Sequence, residues 1–164
     1  MRLKIIIAGL LMGLIAFASL TAMADEKATI RFILTGDLYE LSANNGRGGY
    51  AKLASVAKIY KKKTKSDIHS FLVHAGDAYS PSLLSAMDEG KSAVVMLNAV
   101  GVDYMVLGNH EWDFGPEIAR KRIWESNFPV LASNAIDIDG LPIDGTVKKT
   151  VHTVKRFGQL SEPT

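Results

Sequence analysis

Asp37, Asp77, Asn109, His110 and Asp113 are the side chains best suited by type and spacing to carry chemistry. Three of them stand in the stretch from Val106 to Gly115, V-L-G-N-H-E-W-D-F-G, where an apolar segment stops at Gly108 and polar, ionisable groups follow at once. Gly36-Asp37 and Gly76-Asp77 close two other apolar runs in the same way. A strand that ends in glycine and then polar residues sets reactive groups on the turn at its carboxyl end, while the strand behind stays in the core. Carboxylates, an amide and an imidazole together suit hard or borderline divalent cations. A carboxylate can bridge two such ions, and a pair about 3.5–4 Å apart activates water and neutralises a phosphoryl group during in-line attack. There is also an ordinary reading, in which Asp37 and Asp77 cap helices while Asn109 and His110 satisfy turn hydrogen bonds. That reading suits each residue alone; the recurrence at three strand ends favours the metal site.

The elements that must position these groups are legible in the apolar patterning. Ala28–Leu34, Ile68–His74, Asp103–Leu107 and the shorter Pro129–Ala132 predict strands. Tyr50 to Lys65 predicts a helix, with Tyr50, Leu53, Ala54, Ala57 and Tyr60 on one face and lysines on the other. The Lys61-Lys62-Lys63 run at its end complements the helix dipole. Ser80-Pro81-Ser82 predicts the cap of a short helix to about Met87, Lys91–Ala99 a second closed by Gly101, and Pro116–Trp124 a third. Leu38–Gly49 predicts a loop, Asp137–Gly145 a hairpin or surface loop, and Thr146–Val154 an edge strand. The order β-loop-α-β-α-α-β-α-β implies an α/β fold with a mostly parallel sheet.

Bulk properties set the frame. The chain has 164 residues, no cysteine and a formal charge of +2. Arg2 and Lys4, the apolar run Ile5–Leu20 and the Ala22-Met23-Ala24 site predict a secretory signal peptide over residues 1–24, with export to the periplasm or medium and no stable membrane anchor after cleavage. Arg2 and Lys4 account for the whole positive excess, so charge gives no reason to invoke nucleic acid. The densest cluster of basic residues lines one helix without interleaved aromatics, which also speaks against a nucleic-acid partner. Without thiolates, any metal must be held by His, Asp, Glu and Asn.

Gly76-Asp77 followed by Gly108-Asn109-His110-Glu111, with an aspartate at the first strand end, resembles the calcineurin-like metallophosphoesterases, and more closely their secreted bacterial 5′-nucleotidase group. Gly48–Leu53, Leu97–Asp103 and Phe128–Asn134 resemble that group's first helix, the run into its third metal motif and the strand after it, so the likeness covers about residues 28–136. The resemblance implies the N-terminal part of the metallophosphoesterase α/β/β/α sandwich, incomplete, over residues 25–164. It implies two divalent ions (Zn, Mn or Mg) and hydrolysis of a small phosphorylated substrate, a nucleotide. Residue by residue, it implies Asp37 as a ligand of the first metal, Asp77 as the bridging carboxylate and Asn109 on the second metal. His110 would stand beside the scissile phosphate, with Asp113 orienting it. Glu111 reads as structural, and Trp112 as core or pocket wall.

Two departures accompany the likeness. Tyr39 stands where the family's first motif, Asp-x-His, has a metal-binding histidine, and a phenol ligates poorly unless deprotonated. The family's later histidine motifs have no counterpart here: His69 and His74 read as packing or surface residues, His74 near enough to Asp77 to support it, and His152 as surface. The chain therefore reads as the front part of a larger enzyme, with little or no turnover expected from residues 25–164 alone. The alternatives are a catalytically inactive secreted fragment and a non-catalytic binding module with the same fold.

Overall fold

The structure, a computed structural model, describes residues 28–62 and 68–151. The predicted signal peptide, the helix beyond Lys62, His152 and the end of the predicted edge strand lie outside the described residues. Four strands, β1 (Thr29–Thr35), β2 (Ile68–His74), β3 (Tyr104–Val106) and β4 (Val130–Leu131), pair in parallel in the order β1-β2-β3-β4. Between them run α1 (Tyr50–Lys61), α2 (Leu83–Asp88), α3 (Lys91–Val100) and α4 (Pro116–Glu125). A sequential parallel order sends each right-handed crossover over the same face of the sheet. Consistent with this, α1 packs on α3 and α3 on α4.

The register explains which residues form the core. Ile33 lies opposite Leu72, Thr35 opposite His74, and His74 opposite Met105. Leu72, His74 and Met105 are fully buried, as are Val94 and Leu97 of α3. The alternate residues of β1 face the other way, and Ile30, Phe32 and Leu34 are 51%, 68% and 70% exposed. Parallel sheets ordinarily carry cover on both faces; among the described residues only one face is covered. On the open face Phe71 makes ring contacts with Phe32 and Tyr104, at 6.0 and 6.1 Å between centroids.

Local chemistry sets the ends of the elements. Ser82, rather than Ser80, caps α2: its hydroxyl accepts from the Ser85 amide while the Ser85 hydroxyl accepts from the Ser82 amide. Gly101 closes α3 in the left-handed region, and Pro116 opens α4. Lys61 does more than complement a dipole. Its ammonium donates to the Gly101 carbonyl at 2.9 Å and pairs with Asp103 at 2.7 Å, pinning the end of α1 to the loop before β3. Asp103 also accepts the Leu72 amide at 2.7 Å. The predicted hairpin over Asp137–Gly145 forms as a tight turn with one antiparallel bridge between Ile136 and Pro142. The predicted edge strand is represented among the described residues by a single parallel bridge between Val147 and Leu131.

Candidate functional site

The three glycine-terminated strand ends meet at the carboxyl edge of the sheet. Parallel pairing continues one step past β1 and β2: the Ala75 amide donates to Thr35 at 2.6 Å and the Asp37 amide to Gly76 at 3.3 Å. The next contact has no room for a side chain. A Cβ at Gly76, where φ is 97°, would stand 2.6 Å from the Gly108 nitrogen, and one at Gly108 would stand 2.1 Å from Asp77 Oδ1. Both glycines are thus required for the β2 and β3 ends to abut backbone to backbone with the Asp77 carboxylate between them.

The backbone at Asp37 and Asp77 is itself unusual. Both have positive φ, 52° and 59°. A non-glycine residue in this region carries a conformational cost that the surroundings must offset, and such residues concentrate at functional sites. At Asp77 the offsetting structure is visible. Glu111, 1% exposed, accepts four backbone amides: Asp77 at 2.9 Å and Gly108 at 2.6 Å on Oε2, Ala78 at 2.6 Å and Tyr79 at 3.3 Å on Oε1. Asp77 Oδ1 in turn accepts the His110 amide at 3.0 Å. The β2–α2 loop and the β3–α4 loop are therefore one hydrogen-bonded unit.

His110 opens a 3-10 turn, His110–Trp112. Its Nδ1 donates to Asp113 Oδ2 at 2.7 Å, three residues along. This bond fixes the tautomer and leaves Nε2 free of partners among the described residues. The Asp113 bond holds the imidazole above its ordinary value. Asp113 is held below the usual carboxylate range, first by the Ser80 hydroxyl and then by His110. Ser80 is the member that sequence reading missed. It stands three residues after Asp77, and only the fold carries it across to Asp113.

Tyr39 resolves one departure from the family motif. Its hydroxyl donates to Asp37 Oδ1 at 2.7 Å, and its ring stands edge-on to His110 at 6.0 Å between centroids. Partial burial, and after it the bond to and charge of Asp37, push the phenol well above its usual range. Tyr39 is thus a neutral donor that orients Asp37. Asn109 is exposed, and its side-chain amide makes no hydrogen bond to another described residue.

These donors suit a divalent ion in type: two carboxylates with free oxygens and an unpartnered amide at one sheet edge. Among the described residues no three His, Asp or Glu side chains are grouped so that they could hold a metal ion by themselves. The fit is that of part of a ligand set. A separate pocket of about 680 Å³ between Trp112, Arg120, Ile136 and Ile143 includes none of the strand-end residues.

His74, at the end of β2, is buried and makes the stability of the fold depend on pH. Its Nδ1 accepts the Gly76 amide at 3.2 Å, and its Nε2 has no partner. Burial lowers its pKa to about 4, against the raising effect of the Asp37 and Asp77 charges. Unfolded, the ring takes a proton near 6.5, so between these values the unfolded chain binds more protons. Stability is whole above about pH 6.5 and drains as the pH falls toward 4, by about 3 kcal/mol over the full window. Urea midpoints are expected to fall as pH drops from 7 to 5, and to flatten in His74→Asn, whose amide oxygen can still accept from Gly76. A wild-type midpoint independent of pH in that range would contradict the assignment.

The model of the calcineurin-like phosphoesterase family matches residues 30–161. The chain is 35% identical over 95 residues to a 5′-nucleotidase of Bos taurus, covering 57% of this chain and 16% of that protein. It is 28% identical over 137 residues to a snake venom 5′-nucleotidase of Gloydius brevicauda, covering 76% and 23%. Among solved structures, the Haemophilus influenzae NAD nucleotidase superposes with a TM-score of 0.58 at 28% identity, over 70% of this chain and 22% of that one. The chain spans less than a quarter of the length of these relatives. The parallel sheet with its single helical layer is the N-terminal part of their α/β fold, incomplete. A family match across most of the described residues, together with a superposable fold, shows that the chain belongs to the calcineurin-like phosphoesterases, a family of hydrolases.

Proposed function

We propose that this chain carries the first part of a two-metal site that hydrolyses phosphate esters of nucleotides. The observation that supports it most is the abutment of the β1, β2 and β3 ends, which gathers Asp37, Asp77 and Asn109 at one edge with the His110–Asp113 pair beside them. Asp37 would hold the first ion, Asp77 both, and Asn109 the second. Zinc, manganese or magnesium bound there would supply activated water and neutralise phosphoryl charge. The chain's own residues do the rest. Tyr39 fixes the rotamer of Asp37. Glu111 fixes the backbone that aims Asp77. His110, its Nδ1 proton held by Asp113, presents Nε2 to the phosphoryl or leaving-group oxygen and meets developing negative charge there. Its raised proton affinity keeps it a donor further toward neutral pH. The 5′-nucleotidase relatives support a nucleotide as substrate, and the segment over residues 1–24 supports export to the periplasm or medium.

A second reading, a metal-binding module without turnover, draws on the incomplete set of His, Asp and Glu ligands among the described residues. One experiment separates them. Metal-free protein is titrated with Mn²⁺ and followed by electron paramagnetic resonance, then assayed for phosphate release from AMP. The hydrolase reading expects saturable binding and, with only part of the ligand set in this chain, weak metal-dependent release. Binding without release selects the silent module, and absence of binding removes both.

A further inference from the structure

The His110–Asp113 pair stands on a surface turn, with 32% and 41% of the two side chains exposed. Two exposed side chains three residues apart hold each other weakly, because water competes for both and each keeps much of its rotamer freedom. The pair alone would leave the imidazole loosely oriented. A third member comes from another loop. Ser80, 3% exposed, donates its hydroxyl proton to Asp113 Oδ2, the same oxygen that accepts from His110 Nδ1. Ser80 and His110 are the hydrogen-bond partners of that carboxylate among the described residues.

Ser80 is itself fixed from both sides. Before it, the amides of Asp77, Ala78 and Tyr79 all end on Glu111, and the Tyr79 side chain is buried. After it, Ser82 and Ser85 exchange the capping bonds that start α2. A hydroxyl between two such anchors has little freedom, and the carboxylate it grips shares that restriction. Asp113 cannot turn Oδ2 away from His110 without leaving a buried hydroxyl unpaired, a penalty that an isolated surface pair lacks. The Glu111 clasp therefore sets the Asp77 backbone and, three residues on, the hydroxyl that steadies the pair.

We propose that Ser80 is a positioning residue for His110: acting through Asp113, it holds the imidazole in the Nδ1–H tautomer and leaves Nε2 as the free nitrogen. The inference rests on the phosphoesterase reading above and adds to it the group that orients the His110–Asp113 pair.

The test uses the full chain, labelled with ¹⁵N and free of metal, at a pH where His110 is neutral. Long-range ¹H–¹⁵N spectra tell a protonated ring nitrogen from a bare one, and His110→Gln identifies the signals. Wild-type His110 is expected in the Nδ1–H form. Ser80→Ala lowers the ratio of Nδ1–H to Nε2–H by about tenfold, the scale of one hydrogen bond to a charged acceptor. Ser80→Cys keeps a side chain of similar shape but donates weakly, and lowers the ratio as alanine does. Ser80→Thr keeps the hydroxyl and returns part of it. Mn²⁺ affinity, followed by electron paramagnetic resonance, is unchanged in Ser80→Cys, because Ser80 is bonded to no proposed ligand. A wild-type ring that is mostly Nε2–H, or a ratio unmoved in Ser80→Ala and Ser80→Cys, overturns the assignment. So does a ratio that falls only together with Mn²⁺ affinity, which marks a general loosening of the Asp77 loop. A ratio that falls as expected in a chain that binds no Mn²⁺ removes the metal-site reading and leaves the orientation of His110 by Ser80 standing.

Discussion

Glu111→Gln is expected to lower the melting midpoint by roughly 10 °C or more, although it changes one atom of a side chain that is not itself proposed to touch metal or substrate. The carboxylate has two acceptor oxygens, and each takes two backbone amides, three of the four from the distant β2–α2 loop and one from Gly108 of its own loop. Glutamine offers one oxygen and one NH₂. Whichever way it turns, two buried amides face a donor instead of an acceptor. Each unsatisfied group costs about 1–3 kcal/mol, and loss of a charged acceptor lies at the upper end, so the total is on the order of 3–5 kcal/mol. Aspartate offers no rescue, because it is one methylene short of the four amides. Circular dichroism melts give the stability. Hydrogen exchange gives the mechanism: protection is lost first at Asp77, Ala78, Tyr79 and Gly108. A melting midpoint within a degree or two of wild type would show that the four bonds contribute little.

Asp77→Asn should do the opposite, sparing the fold and abolishing function. Asparagine keeps the side-chain volume, keeps an oxygen for the His110 amide, and tolerates the left-handed backbone that Asp77 adopts. Alanine at the same place would confound the result, since it lacks that tolerance. What asparagine removes is the negative charge. A neutral amide cannot bridge two cations as a carboxylate does, and Mn²⁺ affinity is expected to fall by on the order of 100-fold or more, beyond what loss of a supporting residue around a metal produces. Any metal-dependent phosphate release falls with it. The unfolding free energy of the metal-free protein stays within the about 0.5 kcal/mol typical of a substitution outside the core. Affinity within twofold of wild type would remove Asp77 from the site and take the two-metal reading with it.

Much of this was open to sequence reading, for identifiable reasons. Strands and helices here obey local rules: an apolar β-branched run at β2, a 3- and 4-residue apolar spacing at α1, proline at the start of α4 and glycine at the end of α3. The repeated glycine-then-polar punctuation marked three strand ends that the fold brings together, because a glycine after a core strand is a backbone requirement that the chain records directly. Lys61 shows where local reading stops. Its place in a lysine run suggests a solvated helix end, but 42 residues later Asp103 is folded beneath it.

The residue types, their order and the family likeness therefore belong to the one-dimensional chain, since each depends on neighbours within a few positions. Tertiary structure alone decided which groups face one another. It made Glu111 the clasp of two loops, sent Ser80 to Asp113 instead of to a helix cap, turned Tyr39 into a donor for Asp37, and buried His74 without a proton acceptor for Nε2. All of these are hydrogen-bond geometries, and a hydrogen bond weakens steeply with distance and angle. No pattern of residue spacing specifies a contact to a few tenths of an ångström across separations of thirty residues; the packed sheet does, by bringing the ends of β2 and β3 so close that only glycine fits between them.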